Sequence, residues 1–587
     1  MSKRKSPDVK SVPVQQASAA PAPATAIDGL LRHVPSEASV RETIESIVIA
    51  FVLAFLFRTF EAEAFVIPTG SMAPTLMGRH KDVECPQCHW HYQASASDEV
   101  ESRTGEAKAG EFQIEAATCP MCRYTMDMGP NNPQRKDYPS FKGDRILVSK
   151  FAYQFDEPQR WDVIVFKYPG DATTNFIKRL VGLPGETVRI THGDIFVQQQ
   201  ADGPFAIARK PPQKVLAMLQ PVYDSNCVLP ELVKMGWPLR WQAEKSAGTA
   251  QDGAWIASGD YRTYETNGSA RGEAWLRYRH VVPSFQQWEY LSSGHLPPSD
   301  SPQPQLITDF TAYNTSRDRM NVRSMTSPDP EVFGSHWVGD LALECKLDVQ
   351  SGQGAAVLEL VKGGRRCQCR FDLASGAAVL SISGLESFRP AAKTAVRGPG
   401  AYKIRFSNVD DQLLLWVSGE LVAFDAPTTH EPLGNDRPKT EDWAPVGVSA
   451  QGAAMRVGDL RILRDIYYIA ERPRHLGVGG SGIDMRDVAM TPSMLVDPGM
   501  WPASATTSQA DFDLGRDQFF VLGDNSARSK DGRLWELEGF QHYVSRELLI
   551  GKALFIYWPH SWDKIPRTNI PFPFSFFPNF ARMGMVR

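Results

Sequence analysis

NFIKRLVGLPGETVRI, residues 175–190, is the stretch whose reading decides the fold class. Its two halves carry the period-two alternation of β-strands. Between them Pro184-Gly185 suits the centre of a type II turn, proline for its fixed φ and glycine for a positive one. The segment therefore predicts a hairpin. On its first strand Phe176, Lys178 and Leu180 share a face. A lysine set between two apolar neighbours is partly desolvated, which disfavours its cation. Free lysine titrates near 10.4, leaving about one part in a thousand neutral close to pH 7, whereas burial lowers that value enough to make a general base. From this segment alone, a lysine that snorkels to solvent is the plainer reading.

The pattern continues on both sides. GDRILVSKFAYQF (143–155) reads as a turn and a strand, and PQRWDVIVFKYP (158–169) as a half-buried strand with alternating outward polar and inward apolar residues. Upstream, FVIPTGSMAPTL (65–76) has a β-prone run, Phe65–Ile67, that Pro68 ends. Thr69-Gly70-Ser71 then places two hydroxyls around a glycine that allows a tight, exposed turn. Downstream, FFVLGDNSARSKDGRLW (519–535) runs from a strand into a Gly-Asp-Asn turn, followed by Ser526, Ser529, Asp531 and Arg533. Each segment alone has a bland reading, since turn serines are usually inert and an Asp–Arg pair usually braces a loop. Together they offer a hydroxyl nucleophile, an amine base, a second hydroxyl to orient it and a charge pair.

In this order the five segments resemble the boxes of the bacterial type I signal peptidases, a serine–lysine peptidase family. The match covers residues 40–80, 140–195 and 515–560. It implies a mainly β chain, with an all-β catalytic core behind an amino-terminal transmembrane helix. It implies removal of signal peptides from exported preproteins at small-x-small sites, with no cofactor for catalysis. Ser71 would attack the carbonyl, neutral Lys178 would take its proton, and Ser529 would hold the lysine amine. The Ser71 N–H and the Thr69 hydroxyl would form the oxyanion hole. Arg179, Asp524, Asp531 and Arg533 would support the site, Asp531 pairing with Arg533. Substrate would add as a strand between Ala64–Thr69 and Asn175–Lys178, which makes Phe65, Val66, Ile67, Asn175 and Phe176 its contacts. Thr69 stands where the family often has serine and keeps the hydroxyl. Ser526 stands where arginine is common, which leaves the packing of that loop open.

The amino terminus begins with Lys3, Arg4 and Lys5 and runs through a Pro/Ala/Ser-rich stretch, so residues 1–40 read as a disordered cytoplasmic tail. The apolar run Ile47–Phe57 is shorter than the roughly 20 residues a bilayer needs. A helix over 41–60 spans if Glu42, Glu45 and Arg58 reach the interfaces. The rivals are a cleaved signal peptide, with Ala62-Glu63-Ala64 as a small-x-small site, and a buried core helix. The basic residues before the run favour a cytoplasmic amino terminus in the inner membrane, with the catalytic domain on the outer face.

Two insertions interrupt the resemblance. The first, 82–126, carries CPQCHWHY and CPMCRY, whose cysteines Cys85, Cys88, Cys119 and Cys122 have the paired-knuckle spacing of a structural zinc site. Two disulfides are the alternative for an oxidising exterior, and His89 and His91 are lesser ligand candidates. The second occupies 196–465. Residues 196–334 carry no functional signal, whereas 335–465 alternate strand and turn like a β-sandwich, resembling jelly-roll or laminin-G-like domains. Glycan contact by that sandwich is the rival reading, a membrane-tethered carbohydrate-binding protein with a vestigial peptidase core. Against it, exposed aromatics such as Trp416 are more often core than ligand platform. Residues 466–587 complete the core, and the aromatic, proline-broken end IPFPFSFFPNFARMGMVR either packs on it or touches the membrane interface. With a net charge of −4 over 587 residues and no basic stripe, nothing in the composition points to a nucleic-acid partner, and none is expected. Self-cleaving serine–lysine repressors share such a core, but they carry a DNA-binding domain where this chain has its apolar run.

Overall fold

A computed structural model describes residues 37–587 except 61, 101–113, 130–131, 133–137, 201, 245–254, 271, 298–301, 317–333, 435, 477–479, 486–488, 502–508, 563–569 and 571–576. The tail expected over 1–40 thus lies almost wholly outside the described residues. The chain divides into two units, 1–59 and 60–587. In the first, one helix runs Glu37–Phe60, and Arg41 Nε donates to Glu45 Oε1 one turn on at 2.7 Å. Among the described residues no helix is long and apolar enough to cross a membrane, and the side chains of 53–60 lie outside them.

The second unit is mainly β. One of its sheets runs Ala62–Val66, Arg145–Ser149, Leu549–Trp558, Val163–Tyr168, Asp171–Gly182, Gln518–Leu522 and Val544–Ser545 in spatial order. Val163–Tyr168 is not the half-buried strand that its alternation suggests, because every residue except Lys167 is buried. Val163 and Val165 join one apolar cluster with Ile67, Met72 and Ile146; Ile164, Phe166 and Tyr168 join another with Leu180, Val521 and Trp535. A strand with a core on each face reads as a continuous apolar run.

The turn at Pro184-Gly185 forms as its residues require: Gly185 has φ +80° and the Glu186 N–H donates to Leu183 O at 3.3 Å. Its arms nevertheless do not make a hairpin. Gln518–Leu522 takes the edge of Arg179–Gly182, and Gln509–Asp513 takes that of Thr187–Thr191, so the second arm enters a separate four-stranded sheet. The arms instead pack face to face, Val181 and Val188 sharing one cluster with Phe512 and Phe520.

The insertion leaves this small sheet after Ala206–Ile207 and returns before Gln509–Asp513. It is a two-sheet sandwich over one large apolar core. The boundary expected at 335 falls inside it: Gln220–Asp224 and Tyr264–Thr266 pair with Met455–Arg464, and Ala274–Tyr278 pairs with Val446–Gln451. These strands are too short and interrupted to show alternation in the sequence. The cysteine module packs on the same region through Trp237, Val281, Trp288 and Phe310. At the carboxyl end, Gly584–Met585 pairs with Leu549–Trp558 and Arg582 Nη2 donates to Asp144 Oδ2 at 2.8 Å, so this end lies on the core.

Candidate active site

The edge strand Ala62–Val66 hands over through Pro68 to a 3-10 turn, Gly70–Met72, that carries Ser71. Gly70 is needed there because a Cβ would lie 2.0 Å from Cε1 of Tyr313. Ser71 and Lys178 are both buried. Lys178 reaches Ser71 from the strand Asp171–Gly182, its Nζ 2.8 Å from Ser71 Oγ and 3.1 Å from the Ile177 carbonyl. The expected face is present, with Nζ 5.1 Å from the Phe176 ring centre. Desolvation pulls the amine down from 10.5 to about 8, against the opposing pull of Asp531 and Asp524. An amine near neutrality, in contact with a hydroxyl, can accept that hydroxyl's proton.

The supporting residues converge as two buried ion pairs. Arg179 Nε and Nη2 donate to the two oxygens of Asp524 at 2.7 and 2.6 Å. Burial alone would lower the Arg179 value, but the carboxylate more than offsets it and holds the guanidinium raised. Arg533 grips Asp531 in the same bidentate way, and Asp531 Oδ2 also accepts the Gly523 N–H at 3.0 Å. Ser526 resolves the question of loop packing, since its Oγ accepts from the Ile469 N–H at 2.9 Å and from Arg533 Nη1 at 3.0 Å. Thr69 stands exposed beside Ser71 in extended conformation. Ser529 departs from its expected role. No hydrogen bond joins it to Lys178, whose Nζ is turned to Ser71 and Ile177, and its buried Oγ sits against Gly523.

The residues that hold the turn carrying Ser71 went unassigned in the sequence. Asn525 donates its N–H to Ser71 O and its Nδ2 to Gly70 O, both at 3.0 Å. Asn314 exchanges two hydrogen bonds with the Asn525 amide, at 2.8 and 2.7 Å. Next to it Tyr313 covers Gly70 and donates to Arg79 O at 3.1 Å. Asn525 was legible within Gly-Asp-Asn; Asn314, 211 positions away inside the insertion, left no signal.

Strand edges flank the serine–lysine pair. Ala62–Val66 pairs with Arg145–Ser149 and forms the edge of its sheet, and Ile67 continues it, its N–H donating to Asp144 O at 2.9 Å. Of the strand Asp171–Gly182, Arg179–Gly182 takes the second partner strand, whereas among the described residues Asn175, Phe176, Ile177 and Lys178 pair only with Val163–Tyr168. Val66 and Asn175 are exposed, Phe65 and Phe176 half-buried, and Ile67 is buried. Phe176 stacks on Tyr168 with ring centres 4.5 Å apart.

The four cysteines also converge. Cys85 and Cys122 Sγ lie 3.5 Å apart, as do Cys88 and Cys119 Sγ, and all four sulfurs fall within 4.8 Å of one another. The two knuckles are built alike: His89 and Arg123 take positive φ and donate their N–H groups to Cys85 O and Cys119 O. A tetrahedral thiolate site with bonds of about 2.3 Å needs sulfurs about 3.8 Å apart. The quartet therefore fits such an ion and exceeds the roughly 2 Å of a disulfide. His89 and His91 are exposed, outside the quartet. In the sandwich, Trp416 is core rather than platform, covered by Val215 and Leu414.

Residues 133–226 and 495–558 match the family model Signal peptidase, peptidase S26. Lys178, Arg179 and the 523–533 loop fall inside that match, and Ser71 lies outside it. Signal peptidase I of Pseudomonas aeruginosa is 51% identical over 61 residues, 8% of this chain and 22% of that protein. Signal peptidase I of Leptolyngbya laminosa is 28% identical over 173 residues, 28% of this chain and 53% of that one. The chain thus spans between about a fifth and about half of the length of these relatives. Among solved structures, the carbohydrate-binding module CBM66 from Bacillus subtilis is similar over 38% of this chain and 92% of that one, at 10% identity. Its TM-score of 0.18 carries no functional weight.

Proposed function

We propose that this chain is a membrane-bound serine endopeptidase of the signal peptidase I type, removing signal peptides from exported preproteins through a Ser71–Lys178 dyad. The observation that carries this reading is the 2.8 Å contact between Lys178 Nζ and Ser71 Oγ, with both side chains buried. Ser71 Oγ attacks the scissile carbonyl as the Lys178 lone pair takes its proton. The resulting ammonium gives that proton to the leaving amine, which frees the mature chain and leaves the signal peptide as an ester on Ser71. Lys178 then deprotonates a water that attacks the ester, and its ammonium returns the proton to Ser71 Oγ as the signal peptide leaves as a carboxylate. Thr69 and the Ser71 N–H are the oxyanion donors in this scheme. The substrate lies as an added strand between the edges at 64–69 and 175–178, with small side chains at −1 and −3.

The helix Glu37–Phe60 is the single-pass anchor in this reading, with the amino terminus cytoplasmic and the peptidase on the outer face of the inner membrane. Structural zinc on Cys85, Cys88, Cys119 and Cys122 holds the inserted module and takes no part in catalysis. The carbohydrate-binding alternative is weaker, because it leaves a competent serine–lysine contact unexplained and Trp416 offers no open platform.

The test is cleavage of a preprotein by the full chain in detergent, with the new amino terminus sequenced. Expected is a cut after a small-x-small motif in the parent, with a loss of at least about a thousandfold in Ser71→Ala and Lys178→Ala. Substantial cleavage by either variant sinks the dyad, and a silent parent sinks the assignment.

A further inference from the structure

Apart from the dyad and the cysteine quartet, two histidines and a carboxylate meet where the cysteine module joins the peptidase core. His80 and Asp82 lie two residues apart on the strand His80–Glu84, so their side chains share a face. His560 follows the core strand Leu549–Trp558. His80 is fully buried, and its Nδ1 lies 2.7 Å from Gly78 O. A carbonyl only accepts, so Nδ1 carries the proton and the neutral ring presents a bare lone pair at Nε2. Among the described residues that Nε2 has no hydrogen-bond partner, and it faces Asp82 Oδ1 at 3.9 Å. On the other side of the carboxylate, His560 Nε2 lies 2.9 Å from Asp82 Oδ2. One donor atom from each of the three residues falls within 4.8 Å of the others.

A buried lone pair aimed at a carboxylate oxygen is unfavourable unless a cation lies between them. We propose that His80 Nε2, the Asp82 carboxylate and His560 Nε2 bind a divalent ion of the zinc class, distinct from any ion on the cysteines. Tetrahedral sites with bonds of about 2.0–2.1 Å separate their donors by about 3.3 Å, and the two imidazoles lie 3.9 Å from Oδ1 and 2.9 Å from Oδ2 of the shared carboxylate, on either side of that value. The outer groups are in place as well. Gly78 O fixes the His80 tautomer, Gln93 Nε2 donates to Asp82 Oδ1 at 2.8 Å, and Phe141 stacks on His560 with centres 4.5 Å apart. Such an ion staples the first strand of the module to the end of a core strand. It also fixes the segment that leaves the nucleophile turn, since Gly78 lies against the Thr69 carbonyl.

The test uses the full chain produced in cobalt-supplemented medium. The parent is expected to hold one more equivalent of metal than His80→Gln or His560→Gln. Their difference spectrum should show visible d–d bands without thiolate charge transfer, which sets this site apart from the cysteines. Equal metal content in parent and both variants overturns the proposal, leaving a plain Asp–His pair. A measurement on the parent alone covers the case in which the variants fold poorly. X-ray absorption at the zinc edge should show nitrogen or oxygen neighbours, and a shell of sulfur alone, or no bound zinc, also overturns it.

Discussion

In the proposed mechanism Lys178 concentrates the chemistry in one buried amine. At pH 7 a lysine titrating at about 8 is roughly one-tenth neutral, some three hundred times more than one at 10.5. The same shift costs stability: the folded-state value lies below the unfolded one, so the unfolded chain binds the extra proton between about 8 and 10.5. Stability therefore rises with pH across that window, and below it the penalty is fully present. Lys178→Met removes the penalty while filling the same space. Cleavage should vanish while the melting temperature at pH 7 stays at or above that of the parent, and a lower melting temperature would contradict the burial argument. Asn314 acts at one remove, by holding Asn525 against Ser71. Asn314→Ala orphans a buried amide, so kcat should fall roughly tenfold with KM little changed; an unchanged kcat shows that the amide pair does not position the serine. The period-two neighbours of Lys178 allowed a buried amine but left a solvent-facing one the plainer reading, and only the ordered set of segments singled it out. Asn314 was not legible, because no local pattern reports a partner 211 residues away.

At the scale of elements, the loop after Gln518–Leu522 is braced by ion pairs with no access to water, Arg179 and Asp524 both being 0% exposed. Removing one partner strands the other charge, so Asp524→Ala should lower unfolding stability by about 3–5 kcal/mol. The exposed pair Arg456–Glu265 is the internal comparison, and Arg456→Ala should cost about 1 kcal/mol or less. Urea melts of the two variants check this, and equal losses would show that the buried pair contributes no special bracing. The strands on either side of Pro184-Gly185 were legible from alternation and turn residues. Their partners were not: Pro184-Gly185 makes its turn, yet Gln518–Leu522 and Gln509–Asp513 claim the two arms separately. Local pattern specifies a strand, whereas pairing depends on edges supplied from more than 300 residues away, as between Arg189 and Asp511.

Over the whole molecule, the long insertion proves to be joined to the turn that carries Ser71 rather than merely carried beside it. The turn Ala312–Ser316 meets the nucleophile turn through Tyr313, the Gly-Asp-Asn loop through Asn314 and the cysteine module through Thr315, whose Oγ1 accepts the Thr118 N–H at 2.9 Å. The sequence showed the insertion as an interruption, because these contacts run between residues with no shared periodicity. The most direct measurement on the intact chain is kcat/KM for preprotein cleavage from pH 6 to 10.5 in detergent. A buried, neutral Lys178 serving Ser71 gives a single rising limb with its midpoint near about 8, followed by a plateau. A rate independent of pH, or one still rising past the ordinary lysine value near 10.5, would show that Lys178 is not the base.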